Sequence, residues 1–581
     1  MRHLIKYLFM FAGLSLLSSC MDIGLEDEPR EIADLDNIFD PTDPEGANAQ
    51  LWVTGIYGCL QDRFPSGDPK LLLEVVSDDA VPSAIGVGQW QIIRNGYSPV
   101  DTYDDCFNAA YEGIRKANIF INNYQRVNWR DKELMTWLVG ESRFLRVFFY
   151  WTLLQRYGGV PLIGDQVFTL NDNLQLPRNT FDECVKYMVD ELDDIKDMVR
   201  TELPVSQKTG TSDPFFGRVR TGAVLALKAK ILLLAASPLH NPSNDLSKWG
   251  NAAEAAKAVI DLKAYQLDNQ GNPIGGGESA FQLEPDRQTL VAINHRSNKE
   301  VIFSRNTGSD HNRFASYWYP VGFFADKTQA EGRISPTQEL VDAFEMKSTG
   351  EPFDWNNPVH RANPYNDRDP RLEQTVFYNG MKWRSETVDT YEGGKDITME
   401  NNGIKTVTGY YMRKFLPNDQ GQKGSAFPSC NPVWNYIRLA DVYLMYAEAI
   451  NEAQDSKTNR DLAKTYVDLV RKRVSMPVLK DDLNQAQMRE AIQHERRVEL
   501  AFEEQRYFDI RRWKIAHKVY GSTDQSVKLH GVTITRDAGS NFVYTLKVVA
   551  TPYFDNNSMN LYPFKRDEIL TNGNLEQNPG Y

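Results

Sequence analysis

The residues between Met488 and Trp513 carry the densest chemistry in the chain. Glu495, Glu499 and Glu503 recur every fourth residue. At 3.6 residues per turn they share one helical stripe with Met488, Ile492, Arg506, Ile510 and Trp513, with Phe502 and Tyr507 on its flanks. Carboxylates so placed could exchange protons with a substrate, or hold a metal together with His494. The spacing argues against metal. His494-Glu495 is followed by Arg496, Arg497 and Val498 rather than completing HExxH, and Glu490 and His494 are one residue too far apart for the Glu-x-x-His of di-iron bundles. A surface helix keeps its charges opposite its apolar residues, whereas here they lie within the apolar stripe. Three acids at i, i+4 repel unless cations intervene. Arg496 and Arg506 lie within a turn, and further arginines must come from elsewhere. The reading favoured by this pattern is one buried helix over 488–513, tied to its neighbours by ion pairs; the alternative is an acid–base site.

The neighbours follow from periodicity and caps. Helices are expected over 47–60, 103–124, 131–157, 180–199, 218–236, 249–262, 434–451 and 461–474. Thr180 with Glu183 makes a capping box and Gly158-Gly159 a stop. The 131–157 helix is apolar on most sides, so Arg143 and Arg146 need acids; the expectation is that at least one meets Glu499, Glu503 or Glu448. In the 434–451 helix, Arg438, Asp441 and Glu448 share a stripe on an apolar cylinder. From 268 to 429 the pattern changes: Gly, Pro, Asn and Asp are frequent, helices scarce, 300–304 reads as a strand and 336–344 as a helix with Pro in its first turn.

Composition sets the class. The chain has 581 residues, 25% charged and 41% hydrophobic, which is ordinary for a water-soluble globular body with a large core. A net charge of −13 without a long basic run disfavours nucleic acid as a partner. Residues 1–19 read as a signal peptide: Arg2 and Lys6 precede an apolar stretch too short to span a bilayer, and Leu17-Ser18-Ser19-Cys20 resembles a lipobox that would lipidate Cys20. Residues 20–45 are acidic and Pro-punctuated, a solvated tether, with Asp22, Glu26, Asp27 and Glu28 just behind the lipidated cysteine. Cys59, Cys106, Cys184 and Cys430 are sparse and irregular, without a zinc pattern, and are expected to be mostly free, buried thiols.

Several stretches carry a resemblance. Glu141-Ser142-Arg143-Phe144-Leu145-Arg146 leading to Tyr157-Gly158-Gly159-Val160-Pro161-Leu162, the run Arg438-Leu439-Ala440-Asp441-Val442-Tyr443-Leu444-Met445-Tyr446-Ala447-Glu448-Ala449, Glu495 to Trp513, and the closing Leu575-Glu576-Gln577-Asn578-Pro579-Gly580-Tyr581 resemble the SusD/RagB family. Asp369-Pro370-Arg371 and the Tyr410–Phe415 strand fit the same pattern. The resemblance implies a mostly α fold: a tetratricopeptide-like helical scaffold over 46–267 and 430–581, with an irregular, loop-rich subdomain carrying short strands over 268–429. No clean 34-residue period is visible, so the repeat assignment rests on the resemblance.

The same resemblance implies a non-catalytic cell-surface lipoprotein of the outer membrane, held by its lipid anchor, that binds oligosaccharides or polysaccharides and passes them to a SusC-like TonB-dependent transporter without a cofactor or a metal. A bound calcium ion is left open. Sugars present C–H faces and hydroxyl edges, so a site needs exposed aromatics beside polar groups. Trp90 with Arg94, Asn95 and Tyr97 is one such stretch; Tyr317-Trp318-Tyr319, preceded by Asn312 and Arg313, is another; Asp78 and Asp79 could accept hydroxyls. The expectation is that Trp90 and Trp318 line one platform, with a core position as the alternative for each ring. Were 317–319 a strand, its residues would alternate faces and at least one would be exposed. A peptide- or protein-binding helical-repeat lipoprotein is a second reading; a glycoside hydrolase would need a selected pair of carboxylates across a cleft, which no motif supplies.

Overall fold

The computed structural model describes residues 35–61, 63, 71–84, 88–169, 171–208, 215–267, 273–284, 298–306, 317–323, 330–397, 405–416 and 433–581. Cys20, the acids behind it, Asn312, Arg313 and Cys430 lie outside these. Successive helices pack side by side. α1 (Ala47–Gly58) lies against α3 (Phe107–Asn123) and α4 (Lys132–Tyr157), the short α2 (Gly88–Asn95) preceding them in sequence. The stack continues through α5 (Phe181–Ile195), α6 (Thr221–Ala236) and α7 (Leu246–Ile260). α7 packs on α9 (Leu439–Ala453), which packs on α10 (Lys457–Arg473) and α11 (Gln485–Glu499). The fold is therefore mostly helical, with small scattered two-stranded sheets. The caps form as their residues dictate: Asp131 accepts from the Leu134 amide, and Thr180 and Glu183 close a reciprocal capping box. A short helix over Leu35–Ile38 lies ahead of the helical scaffold expected from 46, and Phe39 is buried in the core.

Several expected boundaries move. Residues 433–438 form a strand, β4 (Val433–Arg438), paired antiparallel with β2 (Val301–Asn306), and the helix begins only at Leu439. Pro336 closes a strand, β3 (Ile334–Pro336), paired with β1 (Ala80–Pro82), and Thr337 rather than the proline starts α8 (Gln338–Ala343) by capping Leu340. A hairpin of β5 (Leu529–Arg536) and β6 (Phe542–Ala550) was not foreseen. Cys59, Cys106 and Cys184 are free thiols.

The largest correction falls on 488–513, which is two helices. α11 stops at Glu499, Phe502 and Glu504 take left-handed backbone (φ 60° and 57°), and α12 (Gln505–Arg512) follows. The break has an electrostatic support. Arg438 Nη2 donates to the Glu499 carbonyl at 3.0 Å and Lys414 Nζ donates to the Ala501 carbonyl, so cations cap the carbonyls freed at the helix end. The turn also delivers the Glu503 carboxylate to both cations, at 2.7 Å from Arg438 and 2.6 Å from Lys414.

The acid stripe is buried as expected: Glu495 and Glu499 are fully enclosed. Arg438, 1% exposed, contacts Glu300, Glu499 and Glu503, each at 2.7 Å. Arg371 meets Asp369 at 2.7 Å, Glu495, and Glu499 at 3.1 Å. Arg471 joins Glu495 (3.1 Å) to Glu345 (2.7 Å), and Arg473 joins Glu300 (3.0 Å) to Glu499. A second cluster links α6, α9, α11 and α12: Asp441 accepts from Lys230 (2.6 Å) and Arg496 (3.0 Å), and Arg512 bridges Asp509 (2.7 Å) and Glu448. Burial pushes the Glu503 carboxyl up, but Arg438 and Lys414 outweigh it and hold it down at about 2. Arg143 and Arg146 do not reach this network. Their acid is Glu191 on α5, at 3.0 and 2.8 Å, with Asp194 and Asp165 beside it, because α4 packs against α5 there.

Removing one partner of such a network leaves a buried charge unpaired, at a cost of about 3–5 kcal/mol. Arg438→Met should therefore lower the apparent stability by that amount in urea unfolding, more than Arg143→Met, whose acids are partly solvated. Glu503 fixes a pH direction as well. Its folded carboxyl lies below the ordinary 4.5, so its contribution is present above that value and should fade as pH falls toward 2. Glu74 has the opposite sign. Burial and the neighbouring Glu504 raise it, so it opposes folding increasingly as pH rises above 4.5. Glu74→Gln should raise the melting temperature at pH 8 and leave it unchanged at pH 4, measured by circular dichroism.

Candidate ligand-binding shelf

The acid–arginine frame continues into a shelf. Asp78 and Asp79 precede β1 and are both buried. Arg506 grips Asp78 with two hydrogen bonds of 2.9 and 2.7 Å, and Arg497 reaches Asp78 at 3.1 Å and Asp79 at 2.7 Å. Burial opposes the Asp78 charge, but the two guanidinium groups hold it below the usual carboxylate range. Burial and the neighbouring Asp78 push Asp79 up in spite of Arg497. The backbone carbonyls of the same two aspartates accept from Thr337, Oγ1 to Asp78 at 2.6 Å and the amide to Asp79 at 2.9 Å. The root of the β1–β3 pair is thus fixed to α11 and α12.

From that root the two chains run in register: Ala80 opposite Pro336, Val81 opposite Ser335, Pro82 opposite Ile334. The Ser83 and Ser335 hydroxyls meet at 2.8 Å. Beyond the ladder the Ser83 amide donates to the Arg333 carbonyl and the Arg333 amide to the Tyr317 carbonyl, both at 2.9 Å. The Trp90 indole donates to the Ala84 carbonyl at 2.9 Å. The two aromatic stretches singled out in the sequence, 90–97 and 317–319, are therefore brought to one place.

They are brought together with most of their rings inside. Trp90 is 7% exposed, Tyr97 6%, and Trp318 and Tyr319 2% each. Trp90 lies under the Arg94 guanidinium, 5.7 Å from its ring centroid, and Tyr97 hydrogen-bonds Tyr507 at 2.8 Å and stacks on Tyr562. Trp318 packs on Phe415; Tyr319 packs on Phe323 and Trp383. The expected Trp90–Trp318 platform is corrected accordingly: both indoles are core. Of the three rings Tyr317 keeps a face toward solvent, and it does so in a turn rather than through strand alternation. Asp78 and Asp79 are structural clamps rather than hydroxyl acceptors. Arg94, Asn95 and Gln91 on α2 are exposed, and Tyr317, Glu331 and Arg333 are half-buried. Asn95 donates to Gln91 at 3.1 Å.

Sequence reasoning missed Glu331 and Arg333. The Arg333 guanidinium lies 4.0 Å above the Tyr317 ring and pairs with Glu331. The register that joins 333 to 317 and 83 is set by non-local pairing, which no local motif announces. Among the described residues no group of three or more His, Cys, Asp or Glu side chains could hold a metal, and no helix is long and apolar enough to cross a membrane. The shelf offers donors and acceptors beside one aromatic edge, an arrangement suited to hydroxyl-rich ligands. A separate cleft of about 830 Å³ is lined largely by apolar groups, among them Phe107, Tyr111, Phe168, Leu174 and Leu575.

The comparisons agree with this architecture. The SusD family model matches residues 299–581, and a second model, described as starch-binding associating with outer membrane, matches residues 40–232. SusD-like protein P2 of Formosa agariphila is 26% identical over 99% of this chain and 100% of its own. A SusD-like protein from Bacteroides fragilis superposes with a TM-score of 0.75 at 26% identity, covering 94% of this chain and 100% of that one. A laminarin-binding SusD-like protein shares the fold, with a TM-score of 0.60 at 20% identity over 92% and 99% of the two chains.

If the clamp at Asp78 holds the shelf, Asp78→Asn should speed amide hydrogen exchange at Ser83 and Arg333 about tenfold while leaving α9 protected. Equal exchange in both proteins would detach the shelf from the frame. Trp90→Ala and Trp318→Ala should each cost about 3–5 kcal/mol of stability, as core truncations do.

Proposed function

Because the chain belongs to the SusD/RagB family, we propose that it binds oligosaccharides or polysaccharides at the cell surface and delivers them to a SusC-like TonB-dependent outer-membrane transporter, making and breaking no bonds. Cys20 would carry the lipid that holds it to the outer membrane. The observation that supports this reading best is the convergence of Ser83, Ala84 and Trp90 with Tyr317 and Arg333. Two segments more than 200 residues apart are locked into one shelf, and their outward groups are those that hydrogen-bond hydroxyls. Binding is carried by Tyr317, Arg94, Asn95 and Gln91 rather than by the buried indoles.

Transfer rather than reaction accounts for how the acids are used. The carboxylates of highest density, Glu495, Glu499 and Glu503, are consumed by arginine and lysine inside the frame, so they are not free for acid–base work on a ligand.

A second reading, peptide or protein cargo, is favoured by the 830 Å³ cleft, whose apolar lining fits side chains better than sugars. Calorimetry separates the two. The mature protein titrated with a panel of soluble glycans should bind at least one, and Tyr317→Ala should weaken it about tenfold, which is about 1.4 kcal/mol. Copurification with a β-barrel transporter is expected in membrane extracts. Release of shorter sugars on incubation would contradict a purely binding role, and tight binding of peptides with no glycan bound would favour the second reading.

A further inference from the structure

Arg333 sits where the two stretches meet. Its amide and carbonyl are both taken, by Tyr317 and Ser83. The preceding Gly332 has φ +47°, and a Cβ there would lie 2.3 Å from the Tyr411 ring, so the chain passes against the core with no freedom to shift. The guanidinium carbon lies 4.0 Å from the centroid of the Tyr317 ring. Its Nε is engaged by Glu331, and Nη1 is enclosed with no acceptor among the described residues. The side chains keep 17% exposure at Arg333 and 26% at Glu331, so the pair still presents a face to solvent.

This is a neutralised pair held on an aromatic ring. It offers donors and acceptors side by side, and together the two groups carry no net charge. A vicinal diol has the complementary pattern, since each hydroxyl both donates and accepts. A sugar carboxylate or sulfate only accepts; it would meet the Glu331 carboxylate and compete with it for the same guanidinium. The chain's net charge of −13 adds to that repulsion. The rival anchor for an anion is Arg94, exposed on the α2 side of the shelf, where it covers the Trp90 ring.

We infer that Arg333 and Glu331, stacked on Tyr317, read a vicinal diol of an uncharged sugar and set the shelf's preference for neutral over anionic glycans. The inference rests on the glycan-binding reading above. Its test is calorimetry on the mature full chain with neutral arabinoxylan, glucomannan and galactomannan, whose 1,4-linked residues keep a 2,3-diol, set against alginate and polygalacturonate, at low and at physiological salt. The wild type should bind a neutral polymer at least about tenfold more tightly than either uronate polymer. Arg333→Ala should weaken the neutral ligand about tenfold or more. Glu331→Gln, a near-isosteric change, should also weaken it and should raise uronate affinity at low salt, and Arg94→Ala should lower the residual uronate affinity.

A wild type that prefers a uronate polymer, or a neutral affinity unmoved in both Arg333→Ala and Glu331→Gln, overturns the inference and leaves glycan binding standing. No binding to any polymer overturns both.

Discussion

A single guanidinium, that of Arg438, meets Glu300, Glu499 and Glu503 out of reach of water. Charges there are tolerable only because each has several partners. The constraint propagates. Glu499 and Glu495 pass it to Arg371, Arg471 and Arg473, fixing the 370–375 helix and α10 against α11. The same interaction explains the break between α11 and α12. α11 has to end at Glu499 because Arg438 and Lys414 take its terminal carbonyls and the Glu503 side chain together.

One step further along α11 and α12, Arg497 and Arg506 extend the logic to Asp78 and Asp79. There the frame stops being scaffold and begins to position the shelf. The β1–β3 pair has only three residue pairs, and a two-stranded ladder of that length is marginal in water. Its geometry comes from the buried clamp at one end. This arrangement separates two demands: rigidity resides in buried charge pairs, while the groups proposed to meet a ligand, such as Tyr317, Arg333 and Asn95, keep a face toward solvent.

Much of the frame was legible in the sequence, and the reason is local. Acids spaced at i, i+4 within an apolar stripe mean burial with partners whatever the fold, and Thr180 with Glu183 states its own cap. The identity of the partners was not legible. Arg146 finds Glu191 rather than Glu499 because pairing depends on which helices abut, and sequence spacing says nothing about that. The break at Phe502 was hidden because the residues of 500–504 keep helical periodicity while tertiary cations favour the turn. For the shelf, the two stretches were found but their rings were misplaced. An aromatic beside polar residues reads alike whether it is exposed or buried with its N–H satisfied, as Trp90 is by Ala84. Arg333 carried no local signal at all.

The most direct test of this account is a hydrogen-exchange footprint of the mature protein with and without a saturating glycan that it binds. Protection should appear over 83–95 and 317–333, with the amides of 161–176 unchanged. Protection confined to 107–115 and 161–176, around the apolar cleft, with none at Ser83 or Arg333, would contradict it.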